Sequence, residues 1–146
     1  RDETESDYPL VTQDDLGSCL GIAMGSPWRF GTMAAPLKTF WESTSINWLS
    51  GDLIDKPACV FTSSSSLHGG NEATLLTLSL PLLHHGMLLM GVPYSEPELH
   101  NTTSGGTPYG ASHVSGLNSS NELTDSEVAI CKTLGQRLAI TAQKLG

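Results

Sequence analysis

Basic residues are scarce in this chain: seven Lys and Arg stand against fifteen Asp and Glu, for a formal charge of −8. That balance excludes a phosphate-backbone partner, so no nucleic acid is expected. The acidic residues are dense at the amino end (Asp2, Glu3, Glu5, Asp7), and part of the charge belongs to a solvated segment. Cysteine is also sparse. Cys19, Cys59 and Cys131 are odd in number, far apart and outside any CxxC spacing. They read as buried thiols in a reducing, cytoplasmic compartment, with no disulfide frame and no zinc site. Long apolar runs are missing too. Gly, His or Pro interrupts each one before the roughly 20 residues of a membrane span. No signal peptide is read, because the chain opens on charge; it also opens without a methionine.

What is present is organised around GSPWRFGTM, residues 25–33. An apolar run at 16–24, bounded by Gly, predicts a strand buried on both faces. It ends in a turn of small residues carrying one cation and two aromatics. A helical pattern follows at 32–41, with Met33, Leu37, Phe40 and Trp41 on one face. Pro36 is tolerable only in a first turn, so the helix proper starts near Ala35. Residues 42–55 read as irregular, and 58–61 as a second buried strand. A second loop of the same design covers 61–70. Asn71 is a candidate N-cap for a helix that runs to His84 and His85, stops at Gly86 and is kinked in its last turn by Pro81. Residues 87–92 predict a third buried strand and 93–121 a long loop. Thr124 and Glu127 form a capping box for a final helix to about residue 145.

The order strand–helix–strand–helix–strand–loop–helix predicts an α/β fold with a parallel sheet and helices on its faces. The 146 residues predict one domain, 1–15 being a polar amino-terminal segment. Loops that follow parallel strands collect at one sheet edge, where such folds keep their ligands. The glycine-rich loop at 105–110 is expected to join those at 25–33 and 61–70 in one crevice.

GSPWRFG followed by a helix, then VFTSSSSLHGG, LLHHGM, PYSEPEL and GGTPYGASHVSG, resembles the WrbA-type NAD(P)H:quinone oxidoreductases. The resemblance runs from Asp15 to the carboxyl end and rests on LLHHGM and GGTPYGA together. It implies a flavodoxin-like, doubly wound parallel sheet in three αβα layers. It also implies that this chain corresponds to the carboxyl two-thirds of that domain. The family's amino-terminal strand and phosphate-binding loop have no counterpart in it, and its first strand is expected to be an unpaired edge. FMN is the implied cofactor, NAD(P)H the co-substrate and a quinone the acceptor, reduced by two electrons in a ping-pong cycle through flavin N5.

The resemblance also implies site residues. Pro27, Trp28, Arg29, Phe30 and Gly31 would form one wall for the flavin ring. Arg29 would be the cation matched to its negative charge, and Trp28 stands where the family often has Thr. Ser63, Ser64, Ser65, Ser66, Leu67, His68 and Gly69 would supply hydroxyls and backbone donors. Tyr109, in the loop 105–110, would shape the third side. Trp48 and His84 match active-site residues. Thirteen residues of helix put His84 nearly 20 Å, at about 1.5 Å each, from its own subunit's ring. Both are therefore expected to serve a neighbouring subunit, in a homotetramer with shared active sites.

Other chemistries are weaker. A serine hydrolase lacks its GxSxG elbow, and no Asp is placed to orient His84 or His113. Adjacent helical residues such as His84 and His85 point about 100° apart, which disfavours a metal site. The alternative reading is a flavodoxin-like scaffold that binds partners and little or no flavin.

Overall fold

The fold opens at Thr12, whose hydroxyl accepts from the Asp15 N–H while the Asp15 carboxylate accepts from the Thr12 N–H. This capping box starts a short helix, α1 (Gln13–Ser18), in the computed structural model, which describes residues 8–146. The apolar run at 16–24 is therefore no continuous strand. Capping at its start outweighs its apolarity, Leu16 is buried from a helix, and the strand β1 (Ile22–Pro27) begins only after Gly21. A helix α2 (Ala35–Ser43) follows with Pro36 in its first turn, as its fixed φ allows.

The expected irregular stretch 42–55 is mostly helical. α3 (Ser45–Ser50) continues from Thr44 and ends at Gly51, whose φ of 74° is the left-handed stop that glycine supplies. Its six residues bury only Asn47 and expose Ile46, Trp48 and Leu49, so no amphipathic period shows. β2 (Pro57–Ser64) is longer than 58–61 and lies at the centre of the sheet. α4 (Asn71–His84) follows with Pro81 inside it. Its N-cap is Gly70, not Asn71, which is the first helical residue and caps nothing with its side chain.

The third expected strand is reduced to β3 (Leu88–Leu89), with both side chains exposed. At Gly91 the chain leaves the sheet, makes the short helix α5 (Glu98–Asn101), and returns as β4 (Ala111–Val114), a strand inside the segment read as loop. β1 lies parallel along one edge of β2, pairing Ile22 with Ala58 through to Pro27 with Ser63. The other edge of β2 takes β3 at Pro57 and Ala58, then β4 at Phe61–Ser64, all parallel. One strand position is thus split in two by residues 90–110. Among the described residues the outer edge of β1 carries no partner strand.

α6 (Asp125–Leu145) closes the fold with the expected capping box, Thr124 to Glu127. Alternation along β2 separates two cores. Ala58 and Val60 join Met24, Leu75, Leu78 and Leu82 on the α4 side, whereas Cys59 joins Ala111, Ile130 and Leu134 on the α6 side. These are the layers of a three-layer αβα sheet. The three thiols are free, but only Cys59 is buried; Cys19 is half-buried and Cys131 exposed on α6.

Candidate active site

Because β1, β2 and β4 are parallel, their carboxyl ends meet at one edge, and the first two loops leave from there. Trp28 N–H donates to the Ser63 carbonyl at 2.8 Å, carrying the β1–β2 ladder into the loops. Arg29 and Thr32 then exchange backbone hydrogen bonds of 3.0 and 3.1 Å around Phe30 and Gly31. Both central residues have positive φ, 51° and 81°, the signature of a type I′ hairpin. That conformation strains a bulky residue such as Phe30, whose ring is 93% exposed at the tip, 5.8 Å from the Trp28 ring. Ser26 Oγ pins the hairpin by accepting from Ala34 N–H at 2.8 Å, and Thr77 Oγ1 shares its one hydrogen between the Gly31 carbonyl at 3.1 Å and the Thr74 carbonyl at 2.9 Å. Arg29 is exposed and donates to the Trp28 carbonyl at 2.8 Å, with no carboxylate in ion-pair range among the described residues.

The second loop is folded on itself. Ser64 Oγ donates to the Ser66 carbonyl at 2.8 Å, and Gly69 N–H donates to the same oxygen at 3.2 Å. Ser65, Leu67 and His68 are exposed, Ser63 is half-buried and Ser64 is buried. Gly70 turns the chain into α4 at φ 104°, and among the described residues no side chain caps its first N–H groups. The Trp28 indole closes against this point: a Cβ on Gly70 would lie 3.1 Å from Nε1. Trp28 Nε1 and Asn71 Oδ1 are buried without a hydrogen-bond partner among the described residues. Orphans of this kind are rare in finished interiors and mark places that a ligand or water completes.

The third loop does not join this edge. Residues 105–110 precede β4, and Gly110 lies beside the Val60 carbonyl in the middle of β2. Tyr109 lines a cavity of about 340 Å³ with Leu76, Leu80, Leu83 and Met90 on the α4 side. The glycines there serve a backbone crossing, which read in sequence like a ligand loop.

Trp48 and His84 are brought together at the opposite end of α4. The Trp48 indole N–H donates to the His84 carbonyl at 2.8 Å. Both are exposed and line a groove of about 560 Å³ between α2 and α4, which also reaches Thr32 and Met33 beyond the hairpin.

A buried carboxylate escaped the sequence reading. Glu127 Oε1 accepts from Ser104 Oγ, Gly105 N–H and Val114 N–H at 2.9–3.0 Å; Oε2 accepts from Thr124 N–H and faces His113 Nδ1 at 3.0 Å. Burial alone would raise its pKa, but the donors, led by Thr124 and Val114, bring it down to about 2. Burial likewise opposes charge on His113, yet the Ser120 carbonyl and the Glu127 carboxylate outweigh it and raise that pKa. His113 is therefore oriented by an acid after all, a glutamate rather than an aspartate. Its Nε2 is turned onto the Ser120 carbonyl at 2.9 Å, so both nitrogens are occupied and it has no free lone pair for a base. The capping box at Thr124 was the one visible sign of this cluster.

Among the described residues no three His, Cys, Asp or Glu side chains gather to hold a metal, and no helix is long and apolar enough to cross a membrane. The paired loops offer an exposed aromatic tip, an unpaired cation, an orphan indole N–H and uncapped helix N–H groups. That donor set fits a flat, conjugated, electron-rich ring.

No protein-family model matches the chain. Curated relatives do. It is 45% identical over 126 residues to an NAD(P)H dehydrogenase (quinone) of Chromohalobacter salexigens, covering 85% of this chain and 63% of that protein. With the protein of the same name from Geotalea daltonii it shares 39% over 142 residues, 96% of this chain and 69% of the relative. With that of Syntrophobacter fumaroxidans it shares 40% over 139 residues, 94% and 68%. The chain thus spans about two-thirds of the length of these relatives, slightly less for the first. Among solved structures, a flavodoxin, WrbA-like protein from Agrobacterium tumefaciens superposes with a TM-score of 0.71 at 23% identity, over 91% of this chain and 72% of that one. An archaeal flavodoxin gives 0.59 at 23% identity and the same coverage. The fold is flavodoxin-like.

Proposed function

The chain belongs to the NAD(P)H dehydrogenase (quinone) family, and from that premise we propose that it holds FMN at its first two loops and passes two electrons from NAD(P)H to quinones. The flavin supplies a two-electron relay at N5, used in ping-pong fashion because both substrates need its one open face. Pro27, Trp28 and Phe30 wall the ring, and Gly31 lets the hairpin backbone approach it. Arg29, unopposed by a carboxylate among the described residues, sets positive charge where electrons accumulate. Ser63, Ser64, Ser65, Ser66, Leu67, His68 and Gly69 offer hydroxyl and backbone donors to the ring edge and the chain attached to it. The observation that carries this reading is the orphan indole N–H of Trp28, buried between the two loops.

Trp48 and His84 shape the substrate side from a neighbouring subunit, since α4 separates them from their own second loop. An exposed apolar stripe on α4 (Leu76, Leu80, Leu83), with Ile46 and Leu49 also exposed on α3, supports burial against a second copy. Tyr109 lies on the same face. The assembly is a cytoplasmic homotetramer. Titrating FMN with the protein while following flavin fluorescence tests the reading, together with NADH-driven reduction of benzoquinone. Saturable quenching at micromolar protein and FMN-dependent turnover uphold it; neither quenching nor turnover refutes it and leaves the partner-binding scaffold.

A further inference from the structure

His85 lies directly beneath the Trp48–His84 corner. It is 8% exposed, and its ring meets Trp41 edge-on with centroids 5.2 Å apart. Its Nε2 is 3.0 Å from Thr44 Oγ1. Thr44 has one hydroxyl hydrogen, and both of its bonds form together only when that hydrogen goes to the Trp41 carbonyl at 2.8 Å and Oγ1 accepts from His85 Nε2. His85 therefore carries its hydrogen on Nε2. Its Nδ1 keeps a bare lone pair, buried and without a partner among the described residues. A charged ring would place a second hydrogen on that unpartnered atom, so the ring is a neutral strut in one tautomer.

The strut joins two junctions. Thr44 is where α2 ends and α3 begins, and Trp48 N–H donates to the Thr44 carbonyl at 3.0 Å in the first turn of α3. His85 ends α4, its N–H donating to the Pro81 carbonyl at 3.0 Å, and His84 precedes it directly. We propose that His85 is a positioning residue: its bond to Thr44 fixes α3 against the end of α4 and so holds the Trp48 indole on the His84 carbonyl. This rests on the reading of Trp48 and His84 as active-site residues. His85 touches no reacting atom; it acts through them.

Variants of the FMN-loaded protein test it. His85→Phe keeps a ring against Trp41 but removes the donor, Thr44→Val removes the acceptor at similar shape, and His85→Gln restores an N–H. His85→Phe and Thr44→Val are each expected to lower kcat about ten-fold, within the scale that misplacement costs, with KM for NAD(P)H changed less than about two-fold. The double variant should fall no further than either single one, and His85→Gln should recover most of the loss. In nitrogen-15 tryptophan-labelled protein, hydrogen exchange at the Trp48 indole should speed up about ten-fold in the first two variants and not in His85→Gln, with the Trp28 indole as reference. Full kcat with unchanged Trp48 exchange in His85→Phe overturns the proposal, as does a loss that His85→Gln fails to recover. If Trp48→Phe and His84→Ala keep full kcat, the reading of the site falls. Trp48 exchange in His85→Phe then decides the positioning alone: lost protection upholds it and unchanged protection overturns it.

Discussion

The indole N–H of Trp48 donates to the backbone carbonyl of His84 at 2.8 Å, across 36 residues of sequence. That bond uses the backbone of His84 and not its imidazole, and both side chains are exposed at the end of α4 away from the loops that begin it. If such a pair serves a neighbour's ring, defects at the two ends must complement. His84→Ala and Arg29→Ala are each expected to lose most quinone reductase activity. Unfolded and refolded together in equal amounts, they should regain about a quarter of wild-type turnover, because one site in four draws both intact residues. Recovery no greater than the sum of the separate variants would assign each site to a single subunit.

Glu127 joins α6 to the neck of the 90–110 excursion and to the end of β4. The substitution Glu127→Gln keeps one acceptor oxygen but turns the other into an NH2 donor, which then faces either the Thr124 N–H or the N–H groups of Gly105 and Val114. Glu127→Gln should destabilise the fold by about 2–4 kcal/mol, read as a drop in the urea midpoint at constant slope.

The pH dependence of stability follows from the same cluster. Glu127 titrates below its ordinary 4.5, at about 2, so its contribution is complete above 4.5 and is lost as pH falls toward 2. His113 titrates above its ordinary 6.5, so its contribution is complete below 6.5 and is lost as pH rises through the raised value. Stability measured by urea unfolding should therefore fall on both sides of a plateau. His113→Gln should flatten the alkaline side and leave the acid side; an alkaline slope that persists in this variant would place its origin elsewhere.

On α4, Leu76 and Leu83 are exposed at spacing i, i+7, on the face opposite the buried Leu75, Leu78 and Leu82. The double substitution Leu76→Glu with Leu83→Glu should break a homo-oligomer into smaller species by light scattering, while circular dichroism keeps its helical signal. An assembly of undiminished mass would move the interface to another surface.

Much of the fold was legible because local signals agreed with tertiary needs. β2 carries an apolar run, α6 has its capping box, and Pro36 lies where a helix start tolerates it. The first two loops were legible for the same reason: small residues between a strand and a helix have few other uses. The failures are long-range. β4 has four residues whose strand character comes from pairing with Phe61–Ser64, and nothing local announces it. α3 hides in a Ser- and Thr-rich stretch because its support is the Gly51 stop and the Trp48 bond to His84. Glu127 showed its cap but not its depth, since its remaining donors come from residues 13 to 23 positions earlier.

Gly110 shows how a glycine that resembled part of a ligand loop instead serves the split strand. The chain leaves the edge of β2 after Met90, whose N–H donates to the Ala58 carbonyl at 2.8 Å, and rejoins it at Ala111 opposite Phe61. At the neck, Val92 N–H donates to the Pro108 carbonyl at 3.0 Å, and Gly91 and Gly110 allow the backbones to close. A Cβ on Gly110 would lie 2.2 Å from the Val60 carbonyl oxygen, and one on Gly91 would lie 2.1 Å from that of Pro108. Neither neighbour is a side chain that can swing away; both oxygens belong to backbone held in the sheet or the neck. Gly110→Ala must therefore push β4 off β2 or bend the central strand, a loss of about 3 kcal/mol or more. Gly31→Ala meets no atom within 4 Å and should cost only its left-handed φ, about 1 kcal/mol. Thermal unfolding of the two variants should rank Gly110→Ala well below Gly31→Ala. The reverse order would mean that the neck tolerates opening and that the hairpin at Phe30 is the more constrained turn.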